Sequence, residues 1–269
     1  MLQDCINTKF KIIADYMSRN KLFLNSDKTH LLIMTSDYHH KRSGNFGIQL
    51  NTGSKLIVPS DDERLLGAQV SNNFTWNAHI NGTDKSMCKQ LTSRVNALSK
   101  ISWSADFQTR KMVANAIVMS RLVYVVQLYR NATDYLLKSL QVLQNKAART
   151  VTRSGWRTET SALLRQIGWL SVKQLVVYHS LLLVFKINRD GKPGYLSEKL
   201  RKDFAYRTRQ ATGNCLVVQG TPDSDSTKTA FVHRTTIQWN NLPYSVRNIK
   251  VFLKFKHELK KWVLRNIEI

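Results

Sequence analysis

The spacing of apolar positions changes character once along the chain, near residue 77. Leu2, Cys5, Ile6, Phe10, Ile13, Tyr16 and Met17 recur at helical spacing, which predicts a first helix with Asn20 as its stop. The period then falls toward two. Lys21 to Leu24 and His30 to Thr35 read as short strands around the turn Asn25-Ser26-Asp27-Lys28, and Ser36 to Asn45 as a polar loop. Phe46 to Leu50, Lys55 to Val58 and Arg64 to Val70 read as further strands, the last two joined through Pro59-Ser60-Asp61-Asp62.

From Asn77 onward the period is 3.6. Ile80, Met87, Leu91, Val95, Leu98 and Ile101 form one apolar stripe, and Lys85, Lys89, Asn96 and Lys100 fall on the opposite face. Asp106 is placed to cap the next helix, whose Val113, Val118, Leu122, Val123, Val125 and Val126 lie nearly all round and predict the buried centre of a bundle. Thr133 or Asp134 starts a third helix, with Leu136, Leu140, Leu143, Ala147 and Val151 inward and Lys138, Gln141, Asn145, Arg149 and Thr152 outward. Short connections make these three antiparallel. Helices over 159–167 and 171–188 and a last one from Val251 to Arg265 complete the pattern.

The expected fold class is therefore α+β: a short N-terminal helix and a small antiparallel sheet over 1–76, then a mainly α-helical remainder. That remainder divides into a bundle over 77–155, a helical extension over 156–201, a flexible linker over 202–228 containing Thr221-Pro222-Asp223, and a C-terminal helical segment over 229–269.

Charge adds the first functional clue. The 269 residues carry 41 Lys+Arg against 18 Asp+Glu, a formal net charge of +23. Residues 1–76 hold 9 basic and 7 acidic side chains, residues 77–175 hold 15 and 4, and residues 176–269 hold 17 and 7, so the excess lies in the helical part. Such a field favours a polyanionic partner, because Lys or Arg contacts to phosphate release condensed counterions. A hydrophobic content of 42% excludes a disordered or collagenous chain. Apolar runs such as Leu175 to Phe185 are too short for a membrane span. Three cysteines without metal or disulfide spacing, and no signal-peptide pattern, set the expectation of an intracellular protein of the nucleus or cytoplasm. No Gly-rich phosphate loop or HExxH string is present, and His39-His40 with His30 lacks a metal-ligand pattern.

Five strings, in order, resemble the C-terminal half of the reverse transcriptases of non-LTR (LINE-type, jockey-like) retrotransposons. Asn20 to Thr29 is similar to the N-x-L-x-L-N-x-x-K-T segment, the fourth palm motif. Arg64-Leu65-Leu66-Gly67 to Val70, with Trp76-Asn77-Ala78-His79-Ile80, resembles the primer-grip hairpin and thumb entry. Leu140 to Arg149 is similar to the LQ-x-x-QN-x-AAR helix, and Gly168-Trp169-Leu170 and Trp239-Asn240-Asn241-Leu242-Pro243 also match.

The resemblance implies a palm remnant over 1–76 followed by a helical thumb. It implies RNA, DNA or RNA–DNA hybrid as partner, with Lys85, Lys89, Asn96, Lys100, Lys138, Asn145 and Arg149 in contact with nucleic acid, Leu66 and Gly67 as primer grip, and Lys28 as a general acid in the intact polymerase. Each has a plainer reading: a wet helix face, a strand bulge at Gly67, a turn lysine beside Asp27. Trp76, Trp169, Trp239 and Trp262 are read as packing residues in preference to base stackers.

The family's third motif, aromatic-x-Asp-Asp, holds the Mg²⁺ ions that phosphoryl transfer requires and precedes the first helix. This sequence begins after that point, so the expectation is a fragment without catalytic residues, metal or cofactor, whose missing N-terminal portion carries the chemistry. The adjacent pair Asp61-Asp62 lacks the aromatic and reads as a solvated turn. The rival expectation is a helical protein-interaction module derived from such an element, with no nucleic-acid role.

Overall fold

Leu2–Arg19 forms helix α1 of the computed structural model, which describes residues 2–35, 47–82, 85–200, 214–218 and 231–268. The helix ends where expected. Lys21 takes a left-handed φ of 58°, and the Lys21 and Leu22 N–H groups donate back to the carbonyls of Ser18 (3.0 Å) and Met17 (2.9 Å). One turn apart on α1, Gln3 Oε1 and Asn7 Oδ1 accept from the backbone N–H groups of Gln49 (2.8 Å) and Asn51 (3.0 Å). These amides hold a strand edge that would otherwise be unpaired.

The chain is mixed α+β, and it separates into two compact units, Met1–Ser86 and Met87–Ile269. Among the described residues of the first, the strands pair two by two. Leu31–Leu32 (β1) runs parallel to Pro59–Ser60 (β4), Leu50–Asn51 (β2) is antiparallel to Leu56–Ile57 (β3), and Asp62–Leu65 (β5) is antiparallel to Ala68–Ser71 (β6). Among the described residues the expected single antiparallel sheet is thus three separate pairs, one of them parallel. Lys21 to Leu24 forms no strand, because Asn25 caps a 3₁₀ turn at Ser26–Lys28 by accepting from the Asp27 and Lys28 N–H groups at 2.9 and 3.1 Å. Arg64 to Val70 is not one strand but a hairpin turning at Leu66-Gly67, with φ of 48° and 85°. Two consecutive positive φ values define the turn that matches the twist of antiparallel strands. With so little sheet to cover, Ile13 and Tyr16 of the α1 stripe stay exposed.

The expected helix from Asn77 to Ile101 is two helices. Asn77–Asn81 (α2) belongs to the first unit, where Ile80 is buried and His79 Nδ1 accepts from the Gln69 N–H at 3.0 Å. Gly82 caps it, and Met87–Ile101 (α3) opens the second unit.

Phe107–Ala114 (α4) is capped by Asp106, whose carboxylate accepts from the Thr109 N–H at 3.1 Å. It runs through a π turn at Asn115–Met119 into Ser120–Val123 (α5). Asp134–Thr152 (α6), Thr160–Ile167 (α7), Val172–Asp190 (α8), Gly194–Lys199 (α9), Phe231–Asn240 (α10), Tyr244–Arg247 (α11) and Phe252–Asn266 (α12) follow.

The buried centre is α8 and not, as the valines implied, residues 107–126. Val125 adopts a left-handed φ of 51° and breaks that helix before Val126. Helix α8 is buried nearly all round and packs on α6, α9, α10 and α12, so the segments expected at 77–155, 156–201 and 229–269 share one core. Its start is fixed by a capping box. Gln174 N–H donates to Ser171 Oγ (3.3 Å) and Ser171 N–H to Gln174 Oε1 (3.0 Å), while Gln174 Nε2 donates to the Ile267 carbonyl (2.8 Å). Phe185 of α8 stacks on Phe255 of α12 at 4.2 Å, and Trp239 of α10 lies 5.8 Å from the same ring.

Part of the expected linker is built into this core. Asn240 is bidentate to the backbone of Leu216 (2.8 and 2.9 Å), and Trp239 Nε1 donates to the Asn214 carbonyl (3.0 Å). The rest of 202–228, apart from 214–218, lies outside the described residues, as do His39-His40 and the expected loop Ser36 to Asn45. Among the described residues, no single helix is long and apolar enough to cross a membrane.

Burial on α8, helped by the charges of Lys256 and Lys186, lowers the His179 pKa from its ordinary 6.5 to about 4. The neutral ring is therefore the form the fold accepts. The stability it contributes is present above pH 6.5 and is lost as pH falls toward 4, by on the order of 2 kcal/mol after screening of a partly exposed ring. Denaturant titrations at pH 7 and pH 4.5 check this: His179→Asn is expected to narrow the gap between the two, and an unchanged gap would contradict the assignment.

Candidate nucleic-acid interface

Helix α3 is two-faced by construction. Met87, Leu91, Val95 and Leu98 are fully buried, whereas Lys89, Asn96 and Lys100 are exposed and fall within an arc of roughly 40° on the far side. With Thr92, Ser93 and Ala97 they line an open groove of about 570 Å³. Met87–Ile101 contains no Asp or Glu, so the helix adds only positive charge. Arg94 is turned away from this face, its Nη1 donating to the Ile117 carbonyl at 2.8 Å.

A second helix supplies one more cation. Lys146 of α6 reaches across to Asn96, with Nζ 3.1 Å from Oδ1, and Ser99 and Thr150 bridge the same seam at 3.4 Å. Lys89, Lys100 and Lys146 thus form one basic surface that two packed helices hold in place. Lys146 falls outside the outward set of α6 because it points sideways along that helix, toward α3. Helix α3 runs parallel to α6 there, Asn96, Ser99 and Ser102 meeting Lys146, Thr150 and Arg153 in turn.

The other expected contacts separate from this face. Lys85 precedes α3 in the first unit. Lys138 and Asn145 line a different groove of about 390 Å³, with Asp134, Gln141, Thr160 and Lys173. In it Asp134 pairs with Lys173 at 3.2 Å, and Asn145 accepts from Gln141 Nε2 at 2.7 Å. Arg149 is half-buried and bends over its own helix end, Nη2 donating to the Thr158 carbonyl at 3.5 Å.

The strings that carried the family resemblance have structural work. Gln144 is fully buried and donates through Nε2 to the Leu170 carbonyl (2.8 Å), and Gln141 Oε1 accepts from the Val172 N–H (2.8 Å). Trp169 Nε1 donates to Asn115 Oδ1 at 2.8 Å. The glutamines of one string therefore lock the Gly-Trp-Leu turn of another, and Trp239-Asn240 holds residues 214–216. Trp169 and Trp239, 6% and 1% exposed, are packing residues as expected.

In the first unit, Leu66 stands exposed at the hairpin tip in a left-handed conformation that L-residues other than Gly, Asn and Asp seldom adopt, followed by Gly67. A bulge reading of Gly67 is replaced by the turn itself. Lys28 is exposed at the end of the capped turn; the carboxylate of Asp27 pairs with Lys55 at 3.3 Å.

Asp61 and Asp62 are not a free turn. Asp61 Oδ1 accepts from Asn72 Nδ2 (3.0 Å) and Asp62 Oδ2 from Gln69 Nε2 (2.6 Å), while His30 meets Glu63 at 3.1 Å. Each carboxylate has a separate amide partner. Among the described residues, no group of three or more His, Cys, Asp or Glu is placed to hold a metal ion.

No family model, curated protein or solved structure matches the chain.

Proposed function

We propose that this chain is the end of the palm, the primer grip and the thumb of a non-LTR retrotransposon reverse transcriptase, and that it binds RNA, DNA or RNA–DNA hybrid through the α3–α6 face. The observation that carries the reading is the basic surface of Lys89, Lys100 and Lys146, opposed to a fully buried apolar stripe. Supporting it are the five ordered strings and the excess of 15 basic over 4 acidic residues in 77–175.

The chemistry of binding is electrostatic. An ammonium contacts phosphate as a point charge and expels condensed counterions, whatever the base sequence. Packing of α3 on α6 and on α4 keeps the lysine stems on one side of the unit, so a polyanion meets all three together. Catalysis, on this reading, belongs to a separate portion carrying aromatic-x-Asp-Asp and Mg²⁺, and the place of action is the nucleus or cytoplasm.

The test is duplex and hybrid binding by the intact chain over a range of salt, with heparin as competitor. Salt-dependent binding that persists in moderate heparin, without primer extension in Mg²⁺ or Mn²⁺, is expected. Loss of all preference for duplex over heparin would contradict the reading and favour a protein-contact module.

A further inference from the structure

Tryptophan side chains are on average deeply buried, and Trp169 and Trp239 here follow that rule at 6% and 1% exposure. Trp103 and Trp156 do the opposite, at 85% and 77%. They stand at one end of the α3–α6 pair. Trp103 follows the last turn of α3, and Trp156 follows α6.

Arginines hold this end together. Arg153 Nη2 donates to the carbonyls of Ser102 (2.7 Å) and Trp103 (2.8 Å), so the segment after α6 is tied to the segment after α3 three residues before Trp156. Arg110 is buried between the same two segments, with Nε donating to the Val151 carbonyl (2.8 Å) and Nη1 to the Ala105 carbonyl (2.6 Å). The loops that carry the indoles are therefore pinned by three backbone carbonyls after α3 and one at the end of α6. The Arg157 guanidinium lies 4.9 Å from the Trp156 ring centroid, forming a cation–π pair at the surface.

We infer that this end of the bundle takes unpaired bases of a nucleic acid, with Trp103 and Trp156 as stacking platforms. The inference rests on the proposed nucleic-acid role and adds where the strand departs from paired form. A duplex keeps its base faces inside its own stack, so an exposed indole finds a partner only on an unpaired base or an open end. Base–aromatic stacking is sequence-tolerant because every base presents a π-face.

Charge complementarity favours this occupant. Residues 98–110 and 149–159 together hold Lys100, Arg110, Arg149, Arg153 and Arg157 against Asp106 and Glu159, and Asp106 is engaged as the cap of α4. Lys100 lies on the groove face three residues before Trp103. A backbone followed by Lys89 and Lys100 is thereby delivered to the indoles.

The experiment compares Trp103→Ala/Trp156→Ala and Trp103→Phe/Trp156→Phe with the unaltered chain, using oligo(dT) and a blunt duplex of equal length, with helicity checked by circular dichroism. The Ala pair is expected to lose at least about tenfold in oligo(dT) affinity, as the loss of stacking on one or two bases implies. Blunt-duplex affinity should stay within about twofold, because phosphate sites along its length far outnumber its two open ends. The Phe pair should retain most of the oligo(dT) affinity. Unchanged oligo(dT) binding in the Ala pair, while the α3–α6 lysines still govern duplex binding, would overturn this inference alone and leave the rings to a protein partner. An unaltered chain that binds neither probe would overturn it together with the proposed function.

Discussion

Trp239→Ala is expected to lower the stability of the Met87–Ile269 unit by about 3–5 kcal/mol, the usual cost of truncating a large buried aromatic to Ala. That is a large share of the roughly 5–15 kcal/mol that holds a typical domain folded. The ring is 1% exposed and sits 5.8 Å from Phe255, which itself stacks on Phe185 of the central helix. Its Nε1–H donates to the Asn214 carbonyl at 3.0 Å, so truncation also removes the donor that satisfies that carbonyl. Denaturant unfolding followed by far-ultraviolet circular dichroism measures the loss. Trp239→Phe, which keeps a ring and drops the N–H, should lose less. An Ala variant within about 1 kcal/mol of the unaltered chain would mean that the α8–α10–α12 core is not the stable centre of the unit.

The second large effect is on binding. Changing Lys89, Lys100 and Lys146 together to Gln should weaken duplex affinity roughly 10- to 100-fold near physiological salt, from the counterions that three phosphate contacts would otherwise release. All three are exposed, Lys89 and Lys100 opposite the buried stripe of α3 and Lys146 at the side of α6, where its ammonium donates to Asn96. Stability should therefore hardly change. Replacement by Arg, which keeps the charge, should retain affinity. Changing Lys138 and Lys173 instead should do less, since Lys173 is paired with Asp134 in the separate groove.

Helices were legible where one residue pattern repeats for several turns. The stripe of α3 and the inward set of α6 needed no partner to be recognised, because each side is uniform over its length. The break between α2 and α3 was signalled by Asn81-Gly82, a helix stop that the continuing apolar spacing of Ile80 and Met87 concealed. The identity of the central helix was concealed differently. The valines after Val113 look buried by composition, yet the π turn at Asn115–Met119 and the left-handed Val125 interrupt them, whereas the run Leu175 to Phe185 stays helical throughout. The sheet was least legible, since strands of two to four residues carry almost no period. Leu66-Gly67 lacks the Asn-Gly or Asp-Gly signature that announces this hairpin turn.

The site was legible in part, for a physical reason that separates charge from position. The exposed face of α3 follows from helical geometry alone, so Lys89, Asn96 and Lys100 share the surface that the spacing assigns them. Lys146 depends on which helix lies beside α6, and Arg149 on the loop its own helix runs into. Arg110 and Arg153 bond to backbone carbonyls remote in sequence, and no local pattern encodes such partners. Trp103 and Trp156 lie in connections, outside any apolar stripe, and their exposure became visible only once the helices on either side were in place.

The slope of log K against log salt tests the central claim most directly, because it counts engaged phosphates rather than affinity in general. For the intact chain and the Lys89→Gln/Lys100→Gln/Lys146→Gln variant on the same duplex, the slope is predicted to fall by roughly two to three, at about 0.9 for each phosphate no longer neutralised, with helical content unchanged. An identical slope and affinity in a fully helical variant would contradict it, and the α3–α6 face would then be ordinary solvated surface.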